Sequence, residues 1–163
     1  MEGPDEAAAR RPAILVDADA CPVKDEIRRV AERHDLAVTF VANAGLRPSR
    51  DRLVRHVVVS GAFDAADDWI VDHGAVNDIA ITADVPLAAR LVAKGLHVLG
   101  PTGRAFTADS IGLAVASRNL ARDLREAGLI GGFNAAFSAR DRSAFLQALD
   151  QTIRRALRIV AGD

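Results

Sequence analysis

The chain predicts an α/β fold, a three-layer domain built on a parallel sheet of about five strands with C-terminal helices. Two observations carry this. Short apolar runs rich in branched residues fall at 13–16 (AILV), 37–42 (AVTFVA), 57–59 (VVV), 79–82 (IAIT) and 96–99 (LHVL), and none alternates, as expected of strands buried on both faces. Between them recur segments with helical apolar spacing, and such alternation packs as a parallel sheet with helices on its faces. A length of 163 residues suits one domain able to bury about 70% of its unfolded surface.

Residues 1–12 (MEGPDEAAARRP) lack apolar periodicity and read as a flexible extension, leaving 13–163 as the single domain. After the first strand, a helix is expected over 22–34: Val23, Ile27, Val30 and Ala31 recur at helical spacing, Pro22 suits the first turn, and Asp25 and Glu26 suit the N-terminal dipole. The connection at 43–56 is ambiguous, with Ser49 able to cap a short helix. Helices follow at 64–73 and at 85–94, the latter closed by Gly95. Two longer ones, 108–127 and 138–160, are separated by a break at Gly131-Gly132 and form a C-terminal appendage. In the first, Leu113, Ala116, Leu120 and Leu124 form the apolar stripe, and Arg118, Arg122 and Arg125 a solvated basic one. In the second, Ser138 with Asp141 resembles a capping pair ahead of the buried face Leu146, Leu149, Ile153, Leu157 and Val160. Arg140-Asp141-Arg142 is expected to dock this last helix.

A formal net charge of −1 gives no whole-molecule reason to bind nucleic acid or an acidic membrane, so any such binding must be local. The single cysteine, Cys21, excludes an internal disulfide, and the absence of a signal-like or membrane-spanning apolar run makes a cytoplasmic location and no membrane partner the expectation. No pattern marks an oligomeric state.

Ligands of open α/β sheets bind beyond the carboxyl ends of the strands. Asp17 and Asp19 end the first strand, Asp64 follows the third with Asp67 and Asp68 in the next turn, and Asp84 ends the fourth. Aspartate is also a good N-cap, and Asp19, Asp64 and Asp84 each precede a predicted helix. Capping leaves Asp17 unexplained. Two charges 4 Å apart repel by about 4 kcal/mol at an effective dielectric near 20, so gathered carboxylates need a cation, a basic partner or raised pKa values. Hard oxygen donors suit Mg²⁺ or Mn²⁺, and such a site suits metal-assisted phosphodiester hydrolysis. Arg47, Arg50, Arg52 and Arg55 crowd the connection that starts at the same edge, a phosphate-guiding patch or a solvated loop paired to Asp51; Asn43 and Arg47 are expected closest to the metal.

The segments VDADACPVKDEI, TFVANAGLR, GAFDAADDWIV, DIAITADVPLAARLVAKG and AFSARDRSAF resemble, in this order, the YaiI/YqxD family of uncharacterised bacterial proteins, over about residues 13–157. That family is grouped with the PIN-like nucleases. The resemblance implies strand order 3-2-1-4-5 and clustered acids binding Mg²⁺ or Mn²⁺ for RNA or DNA cleavage. By it, Asp17 looks like the first-strand acid, Asp64 like the mid-chain acid at a helix start, and Asp84 like the acid of a T-x-D segment whose Thr82 meets substrate. The fourth acid usual in such sites has no counterpart, since Val85, Pro86 and Leu87 follow Asp84; Asp19 or Asp67 is the substitute. The expected set is thus Asp17, Asp19, Asp64 and Asp84 for catalysis, Asp17, Asp64, Asp67 and Asp84 for metal, and Asn43, Arg47 and Thr82 for substrate.

Two other functions fit the same residues. D-x-D after a first strand also resembles haloacid-dehalogenase-type phosphatases with an aspartyl nucleophile, and a non-catalytic RNA- or protein-binding module could keep the acids as caps. Cys21 reads as a small buried residue at the strand–helix turn. His34, His56, His73 and His97 lack zinc-site spacing, and 4% aromatic residues supply little for base stacking.

Overall fold

The computed structural model describes residues 10–19, 21–43, 49–61, 64–126 and 137–162, with only the backbone for 119–126. Strands β1 (Ile14–Asp17), β2 (Val38–Ala42), β3 (Val54–Val58), β4 (Ile79–Ile81), β5 (His97–Leu99) and β6 (Ala105–Phe106) form one sheet of order β3-β2-β1-β4-β5-β6. All neighbours are parallel except β5–β6, which is antiparallel. The first five strands take the expected order, and the chain reverses direction across the sheet between β1 and β4.

Helices α1 (Lys24–His34) and α5 (Ala139–Ala161) cover one face, and α2 (Ala65–His73) and α3 (Val85–Lys94) the other; α4 (Ala108–Glu126) packs on α3 and β6. Alternate residues of β1 serve the two layers: Ile14 and Val16 pack under α1 and α5, Leu15 under α2 and α3. That parity aims Asp17 toward the α2–α3 side.

The last helix is no appendage. Phe145, Leu149, Ile153 and Ala156 are 0% exposed and belong to the same cluster as Ile14, Ile27 and Phe40. Its N-terminus carries the expected capping box between Ser138 and Asp141. Arg142 docks it by donating to the Pro22 carbonyl at 2.9 Å and to Glu26 at 3.1 Å. In α4 the expected apolar stripe faces outward where it is described, with Leu113 68% exposed; Leu120 and Leu124 lie outside the described side chains.

Three further expectations change. The third strand starts earlier, at Val54, because it is the sheet's edge and mixes half-buried with exposed residues rather than running uniformly apolar. No helix follows Ser49 in residues 49–53; its hydroxyl accepts from Asp51 N–H and Asp51 accepts from Leu53 N–H, a pair of side-chain turns. Within 1–12, Arg10 donates twice to buried Asp78, Arg11 donates to the His34 carbonyl and Pro12 is buried, so 10–12 are part of the body. The proposed break at Gly131-Gly132 falls outside the described residues. No helix among them is long and apolar enough to cross a membrane.

Candidate functional site

The β1–β4 crevice opens at the carboxyl edge of the sheet, where the topology places ligands in open α/β folds. A cleft of about 80 Å³ lies there, with Asp17, Asp19, Cys21 and Thr82 in its walls and Pro101 closing one side. Asp17 is the last residue of β1 and half-buried. Thr82, the residue after β4, is 2% exposed and links two acids. Its hydroxyl accepts from Asp84 N–H at 3.0 Å and donates to Asp17 Oδ2 at 2.9 Å. Since the backbone amide can only donate, the threonine proton must point to Asp17, which fixes that carboxylate and leaves Oδ1 for other partners.

Asp84 caps α3: its Oδ1 accepts from Leu87 N–H at 2.9 Å, and Pro86 sits in the first turn. Asp19 Oδ2 accepts from the Asn43 N–H at 2.9 Å, tying the β1 and β2 ends together. Asp64 precedes α2 but its side chain makes no cap, so the capping explanation fails for this residue. Asp67, in the first turn of α2, is half-buried. Burial and the charges of Asp84, Asp17 and Asp64 push its pKa up to about 6, against a smaller opposing effect of Arg90. Asp17 is also raised, by burial first, with the Thr82 hydrogen bond opposing and Asp84 and Asp19 adding to it. Carboxylates from β1, α2 and α3 therefore share one field. Arg90, whose charge opposes the rise at Asp67, is 3.0 Å from Asp68.

These acids stand within electrostatic reach of one another but do not close a cage. Among the described residues no three His, Cys, Asp or Glu side chains come together as a ready metal group. The donor chemistry suits a hydrated Mg²⁺ or Mn²⁺, which keeps several waters and takes one or two carboxylates. Asp17 Oδ1, Asp19 Oδ1, the second oxygen of Asp84 and the carboxylates of Asp64 and Asp67 are the donors left after the hydrogen bonds above.

Of the basic stretch, Arg52 and Arg55 do not gather here. Leu53 O accepts from Val38 N–H, at the start of β2, and Val54 N–H donates to Asp51 O, so Arg52 lies in a turn at the opposite, amino end of the sheet. Arg55 packs over the Trp69 ring, 5.9 Å from its centre. Arg47 lies outside the described residues, and Asn43 is exposed at the edge. What the sequence reading missed is Lys24, the first residue of α1, whose charge favours the thiolate of cleft-lining Cys21 even though burial, the larger effect, pushes that thiol up. Pro101, in a GPTG segment that matches no phosphate-loop spacing, was missed as well. Its signal was its place just past the carboxyl end of β5.

Fold and edge together define an α/β protein with an acidic cluster at the sheet's topological switch point. The chain belongs to the YaiI/YqxD family: the sequence model described as "Uncharacterized BCR, YaiI/YqxD family" matches residues 15–155. It is 65% identical over 146 residues to a UPF0178 protein of Agrobacterium fabrum, covering 90% of this chain and 95% of that one. It is 60% identical over 147 residues to one of Mesorhizobium japonicum (90% and 95%) and 61% over 145 residues to one of Rhizobium meliloti (89% and 99%). No solved structure matches it.

Proposed function

We propose that the chain is a Mg²⁺- or Mn²⁺-dependent phosphodiesterase acting on RNA or DNA. The observation that supports it is the shared field of Asp17, Asp67 and Asp84, three carboxylates from separate elements: burial first, and then repulsion from Asp84, Asp17 and Asp64, raises Asp67 to about 6. A divalent cation relieves that repulsion. Asp17, Asp67 and Asp84 would hold the ion, with Asp19 and Asp64 orienting its waters. When bound it supplies charge for the phosphoryl oxygens and lowers the pKa of a coordinated water.

The chain's own residues do the rest. Thr82 holds Asp17 in one orientation, and the Asn43 amide holds Asp19. Lys24, whose charge reaches cleft-lining Cys21, would meet a substrate phosphate, and Pro101 lines the same cleft.

The test is cleavage of labelled RNA and DNA, single-stranded and duplex, with Mn²⁺ present. Asp17→Asn should lower the rate roughly 100-fold or more, beyond the 10–100-fold typical of removing an outer-shell partner. Unchanged turnover in that variant would reject the reading. A phosphorylated Asp17 trapped with a phosphomonoester would assign the aspartyl-nucleophile phosphatase instead, and Mn²⁺ binding without any cleavage would assign a binding module.

A further inference from the structure

A second cleft, of about 150 Å³, opens where β6 ends beside β5, under α5. It shares no lining residue with the acidic cleft. Its floor is apolar, with Leu99 and Phe106, and its polar groups are His97, Thr152 and Arg155; Thr107 also lines it, but its amide and hydroxyl are engaged with Ser110.

The histidine has a defined tautomer. Asn77 Nδ2 donates to the Ala156 carbonyl at 3.0 Å, which turns its Oδ1 toward His97 Nε2, 2.8 Å away. That oxygen can only accept, so Nε2 carries the proton and the neutral ring offers Nδ1 as an acceptor. Burial and the Arg155 charge both favour the neutral ring. Thr152 is 7% exposed and its hydroxyl has no partner among the described residues. The one fully enclosed unpartnered side-chain atom among those residues is Arg28 Nε, so the Thr152 hydroxyl opens into the cleft rather than being sealed in. Arg155 makes no ion pair or hydrogen bond among the described residues, although its neighbours Arg154 and Asp150 pair with each other at 2.9 Å.

A cation at the rim, a buried hydroxyl without a partner, a ring nitrogen that accepts and an apolar floor are the elements of a small-ligand site. We propose that this cleft binds a small organic anion bearing a hydroxyl beside its carboxylate, with the carboxylate on Arg155 and Thr152, the hydroxyl donating to His97 Nδ1 and the aliphatic body on Leu99 and Phe106. The proposal is independent of the nuclease reading.

Calorimetry on the full chain with 2-hydroxy-3-methylbutanoate should give saturable one-to-one binding. The analogue 3-methylbutanoate lacks the hydroxyl and should bind about tenfold more weakly, the equivalent of one hydrogen bond. Arg155→Gln, at an exposed position, should abolish binding, and Thr152→Val, which keeps the packing volume, should weaken it. The His97 Nδ1 resonance should shift on titration with the hydroxy acid and stay in place with the analogue. Equal affinity for the two acids, unchanged binding in Arg155→Gln, absence of saturation, or tighter binding of inorganic phosphate would each overturn the assignment.

Discussion

At the level of single residues, Thr82 is the hinge of the acidic edge because its one proton is already assigned. Replacing it by valine keeps the β-branched shape but removes both the anchor on Asp17 and the acceptor for Asp84 N–H. The fold should survive, while Mn²⁺ affinity measured by calorimetry should fall 10–100-fold, the usual range for an outer-shell partner. Asp67 makes a separate prediction. Its folded pKa is raised from 3.8 to about 6, so between those values the folded chain holds more protons than the unfolded one, and stability falls as pH rises. Asp67→Asn removes that cost. Because the side chain is only half-buried, screening holds the gain to about 1 kcal/mol or less, or up to about 4 °C in Tm. The gain should appear at pH 7.5 and vanish at pH 4; an equal gain at both would assign it to helix propensity. Asp17 was legible in the sequence because an apolar strand running into an acid has no capping excuse. The Thr82 relay was not, since it exists only once β1 and β4 pair in register. For Arg52 and Arg55 the sequence left a phosphate patch and a solvated segment both open, because a crossover carries the chain from one end of the sheet to the other and sequence distance from Asn43 hides that.

Among the elements, α5 departs most from its expectation, and the reason is visible in its side chains. Of the predicted face Leu146, Leu149, Ile153, Leu157 and Val160, Leu149 and Ile153 are fully buried, but the stripe is completed by Phe145 and Ala156, and Leu146, Leu157 and Val160 are only half-buried. A helix read as an appendage is therefore half of one core layer. Leu149→Ala should cost about 2–5 kcal/mol, as for other fully buried leucines, in chemical denaturation followed by circular dichroism. A loss below 1 kcal/mol would return the helix to the periphery. The other strands and helices were legible wherever apolar runs were buried on both faces, as in β1, β2 and β4. Edge elements were legible only in part. β3 mixes Val54, His56 and Val58 with Arg55, and β6 has two residues, too few for any periodicity to register.

Across the whole molecule, what locks the α1–α5 layer is an ionic junction between elements 116 residues apart in sequence. Asp150 of α5 meets His34 Nε2 at 2.7 Å at the end of α1, with Arg154 Nε at 2.9 Å and Arg33 at 3.7 Å. The His34 hydrogen bond, opposed in part by burial and aided by the arginines, holds this carboxyl below its ordinary range. An acid with a depressed folded pKa stabilises the fold above its unfolded value near 4, and that contribution disappears as pH falls through the folded pKa. It acts in the opposite sense to Asp67, so the two residues separate the effect of pH on the junction from its effect on the acidic edge. Asp150→Asn should lower stability at pH 7 by about 1–2 kcal/mol, the partly exposed arginines contributing little. Once pH falls below the folded pKa, wild type and variant should converge, whereas a constant difference across the range would mean that Asp150 acts through packing and not through its charge.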